Sequence, residues 1–200
     1  MSTSLNALIK SNIEESLSLK QTLLQDEALI ETVGQVGQHL AQCIETGGKI
    51  FFFGNGGSAA DAQHLAAELV GRFERERRAL PGIALTVNTS SLTAIGNDYS
   101  YESVFARQLE GLGRKGDVAV GISTSGKSPN VLAGLRAARA IGIGTIGMTG
   151  HSGAQMAGLL DYLIAVPAKR TARVQEAHML IGHILCEIIE TRLFRPASEG

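Results

Sequence analysis

The sequence predicts an α/β protein: a three-layer α/β/α sandwich around a doubly wound, five-stranded parallel sheet, preceded by two N-terminal helices. Three observations predict it. Apolar runs of strand length alternate with stretches of helical period from residue 50 onward. Those strand-like runs are continuously apolar, as strands covered on both faces must be. Two of them end in Gly- and Ser-containing loops that feed helices, the arrangement that puts ligand sites at the carboxyl end of a parallel sheet. The 200 residues suit a single domain, with about 1–46 as N-terminal helices and about 47–194 as sheet and flanking helices. A composition of 44% hydrophobic and 18% charged residues is that of a globular chain.

Taken in order, residues 4–24 carry Leu5, Leu8, Ile9, Ile13 and Leu17 as an i, i+4 stripe, one amphipathic helix. A second follows with Ile30, Val33, Val36, Leu40 and Ile44 on one face, stopped by Gly47 and Gly48. The apolar faces of these two helices need cover, either from their own sheet or from a helical bundle between subunits. Residues 50–53 are a strand, Gly54-Asn55-Gly56-Gly57-Ser58 a turn, and the Ala-rich stretch beyond it a helix. The alternating charges of 72–78 read as a solvated helix end or loop, and Pro81-Gly82 as the next turn. Residues 83–87 form a short strand, 88–97 a short helix and 101–112 another, closed by Gly113. The strand at 117–122 runs into Ser123-Thr124-Ser125-Gly126-Lys127-Ser128, then a helix over 129–141, a strand at 143–148 and a loop at 149–153. A last strand at 162–166 precedes a long helix from about 172 to 193, with Leu180, Ile181, Ile184, Leu185, Ile188 and Ile189 as its buried stripe.

Charge and composition exclude some partners. A net charge of −1 without Trp recruits neither nucleic acid nor an anionic membrane, and provides no base-stacking surface. No apolar run approaches the ~20 residues a bilayer requires, and the N-terminus does not read as a signal peptide. Cys43 and Cys186, far apart in helix-like stretches, read as reduced core residues of a cytoplasmic protein.

Two loops carry candidate chemistry. The strand–turn–helix at 50–68 is an anion cradle, because the first amides of a helix are unpaired and its dipole favours negative charge. His64 and Glu68, four apart, share a face of that helix beyond the cradle. The second loop matches G-x-x-x-x-G-K-[ST] over 121–128, yet Pro129 pushes Ser128 out of the helical region. Ser128 reads instead as an N-cap with Pro129 at the first helical position, and no acidic strand end stands ready for magnesium. Ser123, Thr124, Ser125 and Ser128 suit a phosphate without a metal. On the last helix Gln175 and His183 are polar positions in an apolar stretch. With His64 and Glu68 they form an N/O set suited to zinc or a related ion. Eight residues of helix rise about 12 Å, so Gln175 and His183 share an ion only if their side chains converge or a neighbouring subunit contributes one. His39, His151 and His178 read as structural or exposed. Arg72 either reaches substrate or begins the charged patch, and Asn97-Asp98 is a turn by default.

The stretches GNGGSAADAQHLAAEL, LTAIGNDYSYESVF, GISTSGKSPNV and RVQEAHMLIGH resemble, in order, the sugar isomerase (SIS) domain family and within it the phosphoheptose isomerases. The resemblance implies a homotetramer with sites between subunits, converting sedoheptulose 7-phosphate to D-glycero-D-manno-heptose 7-phosphate, a precursor of lipopolysaccharide or related glycans. It implies substrate contacts from Asn55, Gly56, Gly57, Ser58, Glu68, Arg72, Asn97, Asp98, Ser123, Thr124, Ser125, Ser128 and Gln175. It further implies one Zn2+ per subunit on His64, Glu68, Gln175 and His183, with Glu68 and His183 as the acid–base pair. The rival reading from the same family is a non-catalytic protein that binds the bacterial replication initiator. Such binders lack the acidic residue and the histidine at the positions of Glu68 and His183, and both are present here. At 169–173, KRTAR, this chain departs from isomerases that carry an acidic residue there.

Overall fold

A computed structural model describes residues 2–151 and 153–194. The chain runs α1 (Ser2–Gln25), α2 (Glu27–Glu45), β1 (Ile50–Gly54), α3 (Gly57–Val70), β2 (Gly82–Ala84) and α4 (Thr89–Asp98). After a 3-10 turn (Tyr101–Ser103) come α5 (Ala106–Leu112), β3 (Val118–Ser123), α6 (Pro129–Ala140), β4 (Gly144–Thr149), α7 (Ala154–Ala157), β5 (Tyr162–Ala165) and α8 (Thr171–Leu193). All strands are parallel, in the order β2-β1-β3-β4-β5. From β1 the chain first moves outward to β2 and then returns past β1 to β3, so the strand order reverses between β1 and β3. Ligands of doubly wound sheets bind at such a point.

Alternation along β1 shows why its run had to be apolar throughout. Ile50 and Phe52 enter the core beneath α2, α3 and α8, whereas Phe51 and Phe53 enter the core on the opposite face beneath α5 and α6. Each face is thereby sealed by helices, the three layers the sequence predicts. Asp26 starts α2 by accepting a hydrogen bond from the Leu29 amide at 3.0 Å.

The two N-terminal helices divide the expected roles. In α2, Leu29, Val33, Val36, Leu40 and Ile44 are buried, Leu29 taking the place expected of Ile30, which is exposed. In α1 the stripe Leu5, Leu8, Ile9, Ile13 and Leu17 stays at least 50% exposed. Leu180 and Ile184, expected in the core, are also exposed and line a hollow of about 380 Å³ with Leu24 and Ile30. Cys43 and Cys186 are free and buried, their thiols pushed up to about 11 and about 12 chiefly by burial.

Some boundaries differ from expectation. The strand expected at 83–87 pairs only over Gly82–Ala84, and the helix expected at 101–112 is interrupted before Ala106; the loop expected at 149–153, of which residue 152 lies outside the described residues, is followed by the short α7. The larger correction concerns residues 72–78. Arg77 is not solvated: its side chain is 1% exposed and lies 2.8 Å from Glu190, itself 1% exposed. A charge pattern cannot reveal this, because the partner sits 113 residues away on α8.

Candidate active site

The cradle begins where β1 ends. Gly54 lies level with Ile122 of β3, so both loops leave the sheet side by side. Gly56 takes φ +57°, a left-handed conformation open to glycine, and turns the chain into α3. A Cβ on Gly57 would overlap the carboxamide of Gln175, which rests against the bare Gly57 backbone. The first residue of α3 and the second turn of α8 are thereby packed directly together. Ser58 is 4% exposed, tucked against Gly54 as part of the cradle floor.

The second loop closes the cradle from β3. Ser123 and Ser128 hydroxyls lie 3.0 Å apart, and the Ser125 hydroxyl accepts a hydrogen bond from the Lys127 amide at 3.2 Å. Ser128 stands at the N-cap before Pro129 as expected, but its side chain turns to Ser123 and makes no cap hydrogen bond. Ser128 thus stands outside the first helical turn, where the serine of a P-loop would lie.

Asn55 and Asn130 join the two loops through reciprocal carboxamide hydrogen bonds, each 2.8 Å. Asn130 is 3% exposed and its Oδ1 also accepts from the Val131 amide at 3.0 Å. Tyr101 adds a hydroxyl that donates to Asn55 Oδ1 at 3.2 Å. Neither Asn130 nor Tyr101 was a sequence-level candidate; the only signals were an amide just inside a helix and an aromatic in a polar loop. Asn97 donates to Asp98 at 2.9 Å at the exposed end of α4, and their mutual bond reaches neither cradle loop. Arg72 stays in solvent, 3.8 Å from Glu76.

The titratable candidates lie farther along the same helices. α3 and α8 run side by side, with Gln175 against Gly57 at one end and Gly182 against Leu65 two turns on. That parallel packing brings together His64, Glu68 and His183. His64 Nε2 stands 3.0 Å from Glu68 Oε1 and 3.1 Å from His183 Nε2. One donor atom from each of the three lies within 4.8 Å of the other two. Two imidazole nitrogens and a carboxylate oxygen aimed at one point are a donor set that zinc accepts. Gln175 does not join them within the chain: it faces Gly57, a helical span of about 12 Å before His183. The sequence-level set of four is thus divided, three residues converging and one turned to the cradle. His64 has half of its side chain exposed, so the cluster opens to the surface of the chain.

Phe73 lies on His183, ring centroids 5.4 Å apart and planes tilted by 21°. Between cradle and cluster each helix buries one titratable residue. Burial raises Asp61 to about 6, partly offset by His64. Burial lowers His178 to about 4.

The SIS domain family matches residues 14–150. The phosphoheptose isomerase of Aneurinibacillus thermoaerophilus is 49% identical over 191 residues, covering 96% of each chain. That of Solidesulfovibrio magneticus is 51% identical over 199 residues, covering 100% of this chain and 96% of its own. Among solved structures, a phosphoheptose isomerase from Neisseria gonorrhoeae superposes with a TM-score of 0.88 at 44% identity, covering 94% of this chain and 99% of that one.

Proposed function

The chain belongs to the SIS domain family, among its phosphoheptose isomerases, and we propose that it interconverts sedoheptulose 7-phosphate and D-glycero-D-manno-heptose 7-phosphate. The observation that carries this reading is that α3 has an anion cradle at its N-terminus and, two turns along, His64 and Glu68, which His183 of α8 joins in one cluster. The phosphate belongs in the cradle, held by the amides that open α3 and by Ser123, Thr124, Ser125 and Ser128. Its fixation orients the sugar and contributes binding energy remote from the reacting carbons.

Isomerisation requires a proton to leave C1, the electron pair to form the C1–C2 double bond, and the C2 oxygen to take a proton. The enediol then loses a proton from the C1 hydroxyl and gains one at C2. Glu68 is the base at carbon and His183 the acid at oxygen, both presented from helices that packing holds rigid. His64, Glu68 and His183 would hold a Zn2+ ion, with a further donor from outside this trio. Such an ion supplies Lewis-acid stabilisation of negative charge on the substrate oxygen. Gln175, at the mouth of the cradle, contacts substrate between the phosphate and the cluster.

We further infer a homotetramer with sites between subunits, supported by the exposed α1 stripe and the adjoining apolar hollow. A cytoplasmic location accords with two free cysteines, and among the described residues no helix is long and apolar enough to cross a membrane. The decisive experiment is turnover of sedoheptulose 7-phosphate by the purified, metal-replete protein and by Glu68→Gln. Conversion that Glu68→Gln abolishes supports the isomerase. No conversion, with a stable complex with the replication initiator, supports a binding protein instead.

A further inference from the structure

Glu190 lies on α8 seven residues after His183, beneath the chemical cluster. Its carboxylate accepts hydrogen bonds from the backbone amides of Phe73, Glu74 and Arg75, each at 3.0 Å. It also accepts from Arg77 Nε at 2.8 Å. Burial by itself would raise this carboxyl, but the amides and the guanidinium outweigh it and hold it below the usual carboxylate range. The same Arg77 donates to the carbonyls of Glu68, Leu69 and Gly71 at 2.7, 2.9 and 3.0 Å, closing the C-terminal end of α3. One buried ion pair therefore ties the end of the helix carrying His64 and Glu68 to the helix carrying His183.

The segment folded around that pair presents its one aromatic residue to the cluster. Phe73, its amide held by Glu190, lies nearly parallel to the His183 ring. An imidazole on a helix surface turns about its side-chain bonds unless something fixes its plane. The stacked phenyl ring fixes it on one side and keeps water from that face, while His64 meets Nε2.

We propose that Phe73, anchored by the Glu190–Arg77 pair, is the positioning residue that sets the ring plane of His183. Phe73 touches no reacting atom and acts through His183. The catalytic part of this inference rests on the isomerase reading; the ring geometry does not. Groups that orient a catalytic histidine from behind are worth about 10–100-fold in activity.

Two measurements test it together. Phe73→Leu keeps the segment apolar but removes the ring, and Phe73→Tyr restores a ring. Phe73→Leu is expected to lower kcat by about 10-fold or more while KM stays within about twofold. Phe73→Tyr is expected to restore kcat to within about threefold of the parent. In proton NMR of the purified protein, the His183 Cε1 proton, identified by its loss in His183→Gln, is expected upfield from the phenyl ring current. Phe73→Leu moves it to the ordinary imidazole position and Phe73→Tyr leaves it upfield. An unshifted resonance in the parent, or full kcat in Phe73→Leu, overturns the proposal. So does a kcat loss in Phe73→Leu that Phe73→Tyr does not restore. If the parent lacks turnover, the isomerase reading fails, and the resonance alone then decides whether Phe73 sets the ring.

Discussion

At the loop end of the α3–α8 pair, Gly57 meets the Gln175 carboxamide. About two turns further along the same helices, His183 meets His64 and Glu68. The loop end is built from backbone, hydroxyls and amides, and its polar groups already partner one another: Asn55 with Asn130, Ser123 with Ser128. The other end is built from converging titratable side chains, of which His64 is half-exposed, with Gln175 turned away from them. Self-partnered hydroxyls and amides hold an anion without changing their own protonation. A converging pair of imidazoles and a carboxylate is suited to protons and cations. On the proposed isomerase reading, binding and chemistry are separable along one pair of helices, and substitutions should separate them.

The sharpest break is at the chemical end. Glu68→Gln should lower kcat by about 10²–10⁴-fold with little change in KM, since removing the base leaves the cradle intact. Steady-state kinetics decide, and a raised KM with unchanged kcat would merge the two ends. At the loop end the pattern should invert. Ser125→Ala removes a hydroxyl donor to phosphate, so KM should rise about tenfold while kcat holds, a charge-assisted hydrogen bond contributing about 1.5–3 kcal/mol. An unchanged KM would remove Ser125 from the cradle.

Between the two ends, Asp61 and His178 make stability respond to pH in opposite senses. His178 titrates near 4 when folded against 6.5 otherwise, so between these values only the unfolded chain takes the proton and stability falls as pH falls. Asp61 titrates near 6 when folded against 3.8, so in that window only the folded chain takes the proton and stability rises as pH falls. Each slope is at most about 1.4 kcal/mol per pH unit, and the two nearly cancel between pH 4 and 6. Relative to the parent, Asp61→Asn should lose stability faster as pH falls through that window, and His178→Leu should gain it. Urea titrations of chelator-treated protein read both slopes, and equal slopes in all three proteins would refute the assignment. The smallest effect belongs outside both ends: Glu76→Ala, breaking an exposed pair with Arg72, should change stability by no more than about 0.5 kcal/mol in the same titrations.

Much of the loop end is legible in the sequence. Glycines at a strand end, Pro129 after Ser128 and the run of hydroxyls are local signals, and turn chemistry acts over a few residues. The five apolar runs and their covering helices were legible for the same reason, because strand and helix periods are properties of neighbours in the chain. Their limits moved by a few residues at 83–87 and 101–112, where pairing with β1 and packing on α6 decide the ends.

The helices of the chemical end show the boundary of that reading. His64 and Glu68 share a face by spacing, and His183 stands out as polar in an apolar helix; their residue types were plain. That His183 lies 3.1 Å from His64 while Gln175 meets Gly57 follows from how α8 packs along α3, across more than a hundred residues of chain. Arg77 makes the same point more strongly. Among alternating charges it reads as solvated, yet burial against Glu190 makes it the tie between the two functional helices. Short-range geometry is written in short-range sequence; which distant polar groups meet is set by the packing of whole helices, because only burial selects one partner among many.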